Sequence, residues 1–381
     1  MRALLLLLAL LAGLPGCAQL TRLPAPPAEA AFDVPVAGAA PARLWPDRAP
    51  GPLNATVASV MRRRAAEPGP RHFLALSGGG DDGAFGAGLM VGWTARGDRP
   101  VFDVVTGISA GALIAPFAFL GPAYDAALEE VFTALRPQDL VLLRWLASAV
   151  LFNEALADTS PLHAVIARHA DEAMMAAIAR EYARGRMLLV GTTNLDLQRP
   201  VVWNMGAIAS SRHPRALTLF RQVLLASASI PGAFPPVMID VEIEGQRFQE
   251  MHVDGGASAQ VFLYPPGVAI PRDGRPRTVH VVRNGRMEKL QEEATRRGLF
   301  SIARRSIETL LHFGGRGDIG RIYLLAQRDG VAFRLAAIAP EFRAERAEPF
   351  DPAYMRALFE HGRAQGLAGD AWLTTAIPGP D

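Results

Sequence analysis

Ser109 stands at the centre of Gly107-Ile108-Ser109-Ala110-Gly111, a G-x-S-x-G pentapeptide. A serine hydroxyl is a weak nucleophile until a base takes its proton and the backbone presents it. A sharp strand-to-helix turn would do the presenting, and glycines on both sides let neighbouring segments pass without a side-chain clash. The helix expected from about Ala112 would aim its positive end at charge developing on an acyl intermediate. Upstream lies Ser77-Gly78-Gly79-Gly80-Asp81-Asp82-Gly83-Ala84-Phe85-Gly86-Ala87-Gly88. Three consecutive glycines allow backbone N–H groups to converge on an anion, and one such donor to a tetrahedral oxyanion is worth roughly 3–4 kcal/mol. Downstream, His252-Val253-Asp254-Gly255-Gly256 places a carboxylate beside paired glycines. Taken alone, Asp-Gly-Gly is a tight turn.

The glycine loop has a second reading. Gly78-Gly79-Gly80-Asp81-Asp82-Gly83 fits G-x-G-x-x-G between a strand and a helix, with Asp98 or Asp103 near the distance of a ribose-binding acid. That would make the chain a dinucleotide-dependent oxidoreductase. Against it, Asp81 and Asp82 would repel a pyrophosphate. The lysine of a phosphate-binding P-loop is absent. His280, His312 and His361 follow Asp254 in the order a Ser–acid–His triad can take. None lies in a loop signature, and each reads as a surface or internally satisfied histidine. His252 is close to Asp254 only in sequence. No metal-ligand spacing is present, Asp81-Asp82 alone cannot hold calcium, and no cofactor is expected.

The elements that must position these residues alternate in type. Phe73–Leu76, Phe102–Thr106, Met187–Thr192, Val201–Asn204, Val279–Val282 and Ile322–Leu325 read as short apolar strands. Phe85–Ala95, Ala123–Ala134, Leu162–Ala183 and Leu217–Ala228 carry apolar residues at helical spacing. Alternation of this kind predicts an α/β layered fold with a mostly parallel central sheet flanked by helices.

Together, the glycine loop, G-x-S-x-G and Asp-Gly-Gly resemble the patatin-like phospholipase family, in which these motifs occur in this order. Ala228-Ser229-Ile230-Pro231-Gly232-Ala233-Phe234-Pro235-Pro236-Val237 and Thr192-Thr193-Asn194-Leu195-Asp196-Leu197-Gln198-Arg199-Pro200 are similar to bacterial members. The resemblance runs from about Phe73 to at least Pro265 and implies a three-layer fold and hydrolysis of lipid carboxylic esters. It implies a Ser–Asp dyad without histidine, with Ser109 as nucleophile and Asp254 as its base. It also implies oxyanion donors in Gly78, Gly79, Gly80, Asp81 and Gly83. A carboxylate is a weak base at its ordinary pKa near 3.9, so burial beside Ser109 is expected to raise it. Many members carry Arg or Lys where this chain has Asp82. The more negative field predicts a preference for neutral or zwitterionic esters.

The 381 residues hold a single cysteine, Cys17, so an intramolecular disulfide is impossible and a thiolate zinc site is disfavoured. Residues 1–16 read as a signal peptide: Arg2, an apolar run too short to span a bilayer, then Leu14-Pro15-Gly16-Cys17, which resembles a lipoprotein lipobox. Acylated Cys17 would anchor the protein to a membrane. With Ala18 and Gln19 after the cysteine, the resemblance to bacterial lipoproteins implies sorting to the outer membrane. Residues 17–70 are proline-rich and read as an extended tether with a short helix near Leu53–Ala66. Residues 71–275 form the hydrolase core, and 276–381 a C-terminal extension continuing it. The hydrophobic fraction of 50% excludes general disorder, and a net charge of +2 makes nucleic acid a poor partner. A non-catalytic envelope lipoprotein that keeps the fold for binding stays open as the alternative.

Overall fold

The structure, a computed structural model, describes residues 22–376 except 33, 40–41, 49–50, 65–66, 135–141, 144–156, 266, 269–273 and 289–293. The expected signal peptide, residues 1–16, and Cys17 lie outside the described residues. In chain order the elements are β1 (Arg43–Leu44), α1 (Gly51–Arg64), β2 (Arg71–Leu76), α2 (Gly83–Arg96), β3 (Val104–Ile108), α3 (Ala110–Leu120), α4 (Asp125–Thr133), α5 (Ser160–His169) and α6 (Glu172–Ala183). They continue with β4 (Met187–Asn194), β5 (Arg199–Asn204), α7 (Ala216–Ser227), β6 (Val237–Ile243), β7 (Gln246–Asp254), β8 (Arg277–Arg283), α8 (Leu299–Asp329), β9 (Ala332–Ala337) and α9 (Pro352–Ala368).

Nine strands make one sheet in the order β1-β5-β4-β3-β2-β8-β9, and the β6–β7 hairpin joins it through β4. Strands β4, β3, β2, β8 and β9 run parallel. The remaining pairings are antiparallel. Successive side chains on a strand point to opposite faces, so each central strand feeds two cores. Leu74, Val105, Leu188 and Val190 join Phe85, Ile114, Phe220 and Phe359 on the face covered by α2, α3, α7 and α9. Phe73, Met187 and Leu189 face the other way, toward Val60 of α1 and Ile319 and Ile322 of α8. The result is a three-layer α/β fold around a mostly parallel sheet.

Three expectations change. Ile322–Leu325, read as a strand, lies inside the helix α8: Ile322 and Leu325 are buried while Leu324 is 68% exposed. The stretch Leu162–Ala183 is two helices, divided where Asp171 caps α6 by accepting a hydrogen bond from the Met174 N–H at 2.8 Å. The proline-rich segment is not an extended tether over its described part. Ala31, Val36, Ala39 and Ala42 are buried against the main core, and β1 pairs with β5. The Arg43 guanidinium donates to both Glu250 carboxylate oxygens (2.7 and 2.5 Å) and to the Ala31 carbonyl (2.6 Å). Small apolar residues between the prolines fill the sheet edge, and a buried charge is tolerated there because it is paired.

Candidate active site

Ser109 occupies the turn from β3 into α3 at φ 55° and ψ −126°, in the left-handed region that a residue with a Cβ disfavours. The turn closes because both flanking glycines are bare. A Cβ at Gly111 would overlap the Leu76 carbonyl and stand 2.7 Å from the Ser77 oxygen; one at Gly107 would stand 2.8 Å from Ala112 Cα. The Ser109 N–H donates to Ser227 Oγ at 3.0 Å, and Ser227 Oγ donates to the Gly191 carbonyl at 2.7 Å. Ser227, at the end of α7, therefore ties the strained residue to β4. Its sequence position carries no sign of this.

Asp254 ends β7, opposite Thr192 of β4. Its N–H donates to the Ser229 carbonyl at 2.9 Å, and its Oδ1 accepts from the Gly256 N–H at 2.7 Å. Oδ2 is buried without a hydrogen-bond partner among the described residues. Burial pushes the carboxyl up to about 7, against smaller downward pulls from the Ser109 hydroxyl and the Gly256 N–H. Ser109 is thus near enough to favour the ionised carboxyl, although no hydrogen bond of good geometry reaches Oδ2. Such bonds are often loose before substrate binds. A carboxyl that titrates near neutrality is matched to taking a serine proton.

The glycine loop follows β2 and meets Ser109 directly: a Cβ at Gly78 would stand 3.1 Å from Ser109 Cβ. Its N–H groups divide. That of Gly78 donates to the Gln260 carbonyl at 2.9 Å, and that of Gly83 is directed at the Gly80 and Asp81 carbonyls. The Asp81 N–H is drawn to its own carboxylate. Gly78, Asp81 and Gly83 therefore leave the expected donor set, and Gly79 and Gly80 remain, with no acceptor among the described residues. Ala110, the first residue of α3, lines the same cavity as Gly80 and Ser109. Its N–H is one of those a helix start leaves without an internal partner. The loop is clamped by Asn284: its Nδ2 donates to the Ser77 carbonyl (2.7 Å), its Oδ1 accepts from the Gly86 N–H (3.1 Å), and its N–H donates to Ser77 Oγ (2.8 Å).

Asp81 and Asp82 turn away from Ser109, and neither lines its cavity. Asp81 pairs with Arg346 at 2.8 Å and accepts from the Phe350 N–H at 3.0 Å. Asp82 accepts from the Tyr354 hydroxyl at 2.6 Å, and burial raises it to about 6. The Asp81 charge is offset by Arg346, which reduces the negative field expected near the nucleophile. Asp103 accepts from Arg64 (2.6 Å), Arg71 (3.3 Å) and the His72 N–H (2.9 Å), so it is committed to structure rather than to a ribose.

The histidines sort cleanly. His252 Nδ1 meets Thr192 Oγ1 at 3.0 Å and its Nε2 meets Glu250 at 3.1 Å, within the buried network of Arg43. His280 is not fully satisfied: its Nδ1 has no partner among the described residues, and burial, aided by His72 and Arg334, pushes it down to about 3. It sits among Trp93, Phe102 and Trp372. His361 lies between Phe85 and Phe342. None of these, nor His312, lines the cavity at Ser109. His169 does, at the end of α5, with its ring on Phe117 and its Nε2 against Arg168.

Ser109 opens into a cavity of about 80 Å³ whose walls include Leu113, Phe117, Phe132, Ile166, Leu224 and Phe234. A serine on a strained strand-to-helix turn, facing an apolar cavity beside a glycine loop, is the arrangement of serine ester hydrolases. A patatin-like phospholipase family model matches residues 74–265, and the chain belongs to that family. Its class is therefore lipid acyl hydrolase. In fold the chain is similar to VipD from Legionella pneumophila, known from a crystal structure, at 13% identity and a TM-score of 0.34 over 79% of this chain and 67% of that one. None of the curated proteins matches it.

Proposed function

We propose that the protein is a serine hydrolase of lipid carboxylic esters, acting in lipid catabolism, with Ser109 as nucleophile and Asp254 as its base. The observation that carries this reading is the pairing of a strained Ser109 at an apolar cavity with a buried carboxyl that titrates near 7. Asp254 takes the Ser109 proton as the oxygen attacks the ester carbonyl. The N–H groups of Gly79, Gly80 and Ala110 receive the oxyanion. Collapse releases the alcohol, which takes the proton back from Asp254, and leaves acyl-Ser109. Water, deprotonated by Asp254, then frees the fatty acid and restores the serine. The test is hydrolysis of a panel of phospholipids, lysophospholipids, triglycerides and short esters by wild type and Ser109→Ala. Activity confined to the wild type supports the reading; equal activity sinks it. Covalent labelling of Ser109 by a fluorophosphonate separates an enzyme from a non-catalytic lipid-binding lipoprotein, which would not react.

The enzyme works, in this proposal, on the bacterial outer membrane, anchored through acylated Cys17 and facing periplasm or surface. Support comes from the lipobox-like Leu14-Pro15-Gly16-Cys17 and from α8. There Leu299, Ile302, Leu310, Phe313 and Leu324 are exposed and fall on one side of the helix by its 3.6-residue spacing. No helix among the described residues is long and apolar enough to cross a membrane. Loss of membrane sedimentation in Cys17→Ala is the expected result; unchanged sedimentation overturns the anchor.

A further inference from the structure

A second cavity is larger than the one at Ser109. It measures about 310 Å³ and lies on the opposite face of the sheet, beneath α1. Met187, Leu189 and Ile108 floor it, Val57 and Val60 of α1 roof it, and Ile322 of α8 closes one side. The two cavities have no lining residue in common. Close-packed interiors leave few voids larger than a water, whereas ligand pockets begin at about 300 Å³ and are mainly apolar with a few polar groups. At about 30 Å³ per water-sized or methylene-sized group, this volume holds roughly ten. Charge on the lining falls in three places, one of them Asp47, which pairs with Arg199. Arg64 and Arg71 pair with Asp103, and Arg321 pairs loosely with Asp318 at 3.4 Å. The Arg321 side chain is 61% exposed, which puts a cation beside an apolar channel.

At β3 the two cavities are lined by consecutive residues, Ile108 and Ser109. Ile108 directly precedes Ser109, and Gly255 directly follows Asp254; both line the larger cavity. Gly191 lines it too, and its carbonyl receives the Ser227 hydroxyl that holds the Ser109 N–H. The contact is close: a Cβ at Gly191 would stand 3.0 Å from Ile108 Cγ1.

We infer that this cavity is a non-reacting binding site for one fatty acid, with roughly ten of its chain carbons in the apolar channel and its carboxylate at Arg321, and that occupancy slows turnover at Ser109 through the shared wall. The choice of a fatty acid rests on the lipid hydrolase reading, because such an enzyme releases one; the cavity itself does not. Binding and turnover are therefore measured separately, with the full chain. Fluorescent cis-parinaric acid should bind wild type and Ser109→Ala equally. Val57→Trp, which fills the cavity from a half-buried roof position, should weaken binding at least tenfold. Val57→Ala should retain it, and Leu113→Trp, in the other cavity, should leave it unchanged. Added oleate should lower kcat for p-nitrophenyl butyrate in wild type and not in Val57→Trp. Binding that is absent in Ser109→Ala, indifferent to Val57→Trp or lost in Leu113→Trp overturns the site. Purely competitive inhibition by oleate would put the fatty acid in the Ser109 cavity and also overturn it. A protein that binds parinaric acid as described but hydrolyses no ester would leave the site standing and remove the hydrolase.

Discussion

The two faces of the β4-β3-β2 sheet are built to different standards. On the Ser109 face, α2 and α9 touch through Gly88, Gly92, Gly362 and Gly366, and a Cβ at any of them would run into the other helix's backbone. Phe85, Phe102, Phe119, Phe220 and Phe359 are fully buried on that side. On the other face a cavity of about 310 Å³ remains, and the first half of α8 is largely exposed. Backbone strain survives only where the surroundings over-determine it. Ser109 at φ 55° is held by the dense face, while the loose face has room for a ligand within one residue of the same serine.

Four substitutions or conditions probe this contrast. Gly111→Ala forces a methyl between β2 and the Ser109 turn, where the obstructing atoms are backbone and cannot swing aside. Overpacking of this kind should cost about 3 kcal/mol or more, read by urea denaturation; parental stability would mean the face is not dense. Asn284→Ala leaves the Ser77 carbonyl and Gly86 N–H without partners. A loss of about 2 kcal/mol and a fall in kcat at constant KM are expected, and an unchanged kcat would free the loop from this clamp.

Stability should also depend on pH. The Asp254 pKa is raised in the folded state, to about 7 from an ordinary 3.8. Between these values the folded chain keeps a proton that the unfolded chain has lost, so stability falls as pH rises from about 4 to about 7 and then levels off. Asp82, raised to about 6, acts in the same direction. Asp254→Asn should therefore flatten the decline in part, and a profile identical to wild type would contradict the burial of this carboxyl. The smallest effect is expected on the loose face. Leu189→Phe, which adds atoms to the larger cavity, should be neutral or stabilise by up to about 1 kcal/mol, measured as a rise in Tm; a marked loss would show that the space is not available.

Much of this was legible before the fold was known, for reasons that differ by element. Central parallel strands are apolar on both faces and read as continuous runs, so Phe73–Leu76 and Met187–Thr192 stand out. The same signal misleads at Ile322–Leu325, because a four-residue apolar run does not distinguish a strand from one turn of a buried helix. Proline content overstated the freedom of residues 22–64, since Arg43 and Glu250, 207 residues apart, form the clamp that docks them. Ser109 and the three glycines Gly78, Gly79 and Gly80 were visible in their motifs, and Asp254 through the family resemblance that the motifs carry together. Their supports were not. Ser227 lies 118 residues from Ser109, and Asn284 lies 207 from Ser77; each is an ordinary polar residue until the sheet brings it there. The separation of Gly79 and Gly80 from Gly78, Asp81 and Gly83 as donors likewise depends on bonds made by the folded backbone.

The most direct test of the central claim is the pH–rate profile of a short ester from about pH 5 to about pH 9, compared for wild type and Asp254→Asn. The wild-type rate should rise with a half-point near 7, as burial of Asp254 requires. The folded variant should lose about 10³-fold or more on the wild-type plateau near pH 9. A variant within tenfold of wild type, or a wild-type profile flat through neutrality, would contradict the Ser109–Asp254 dyad.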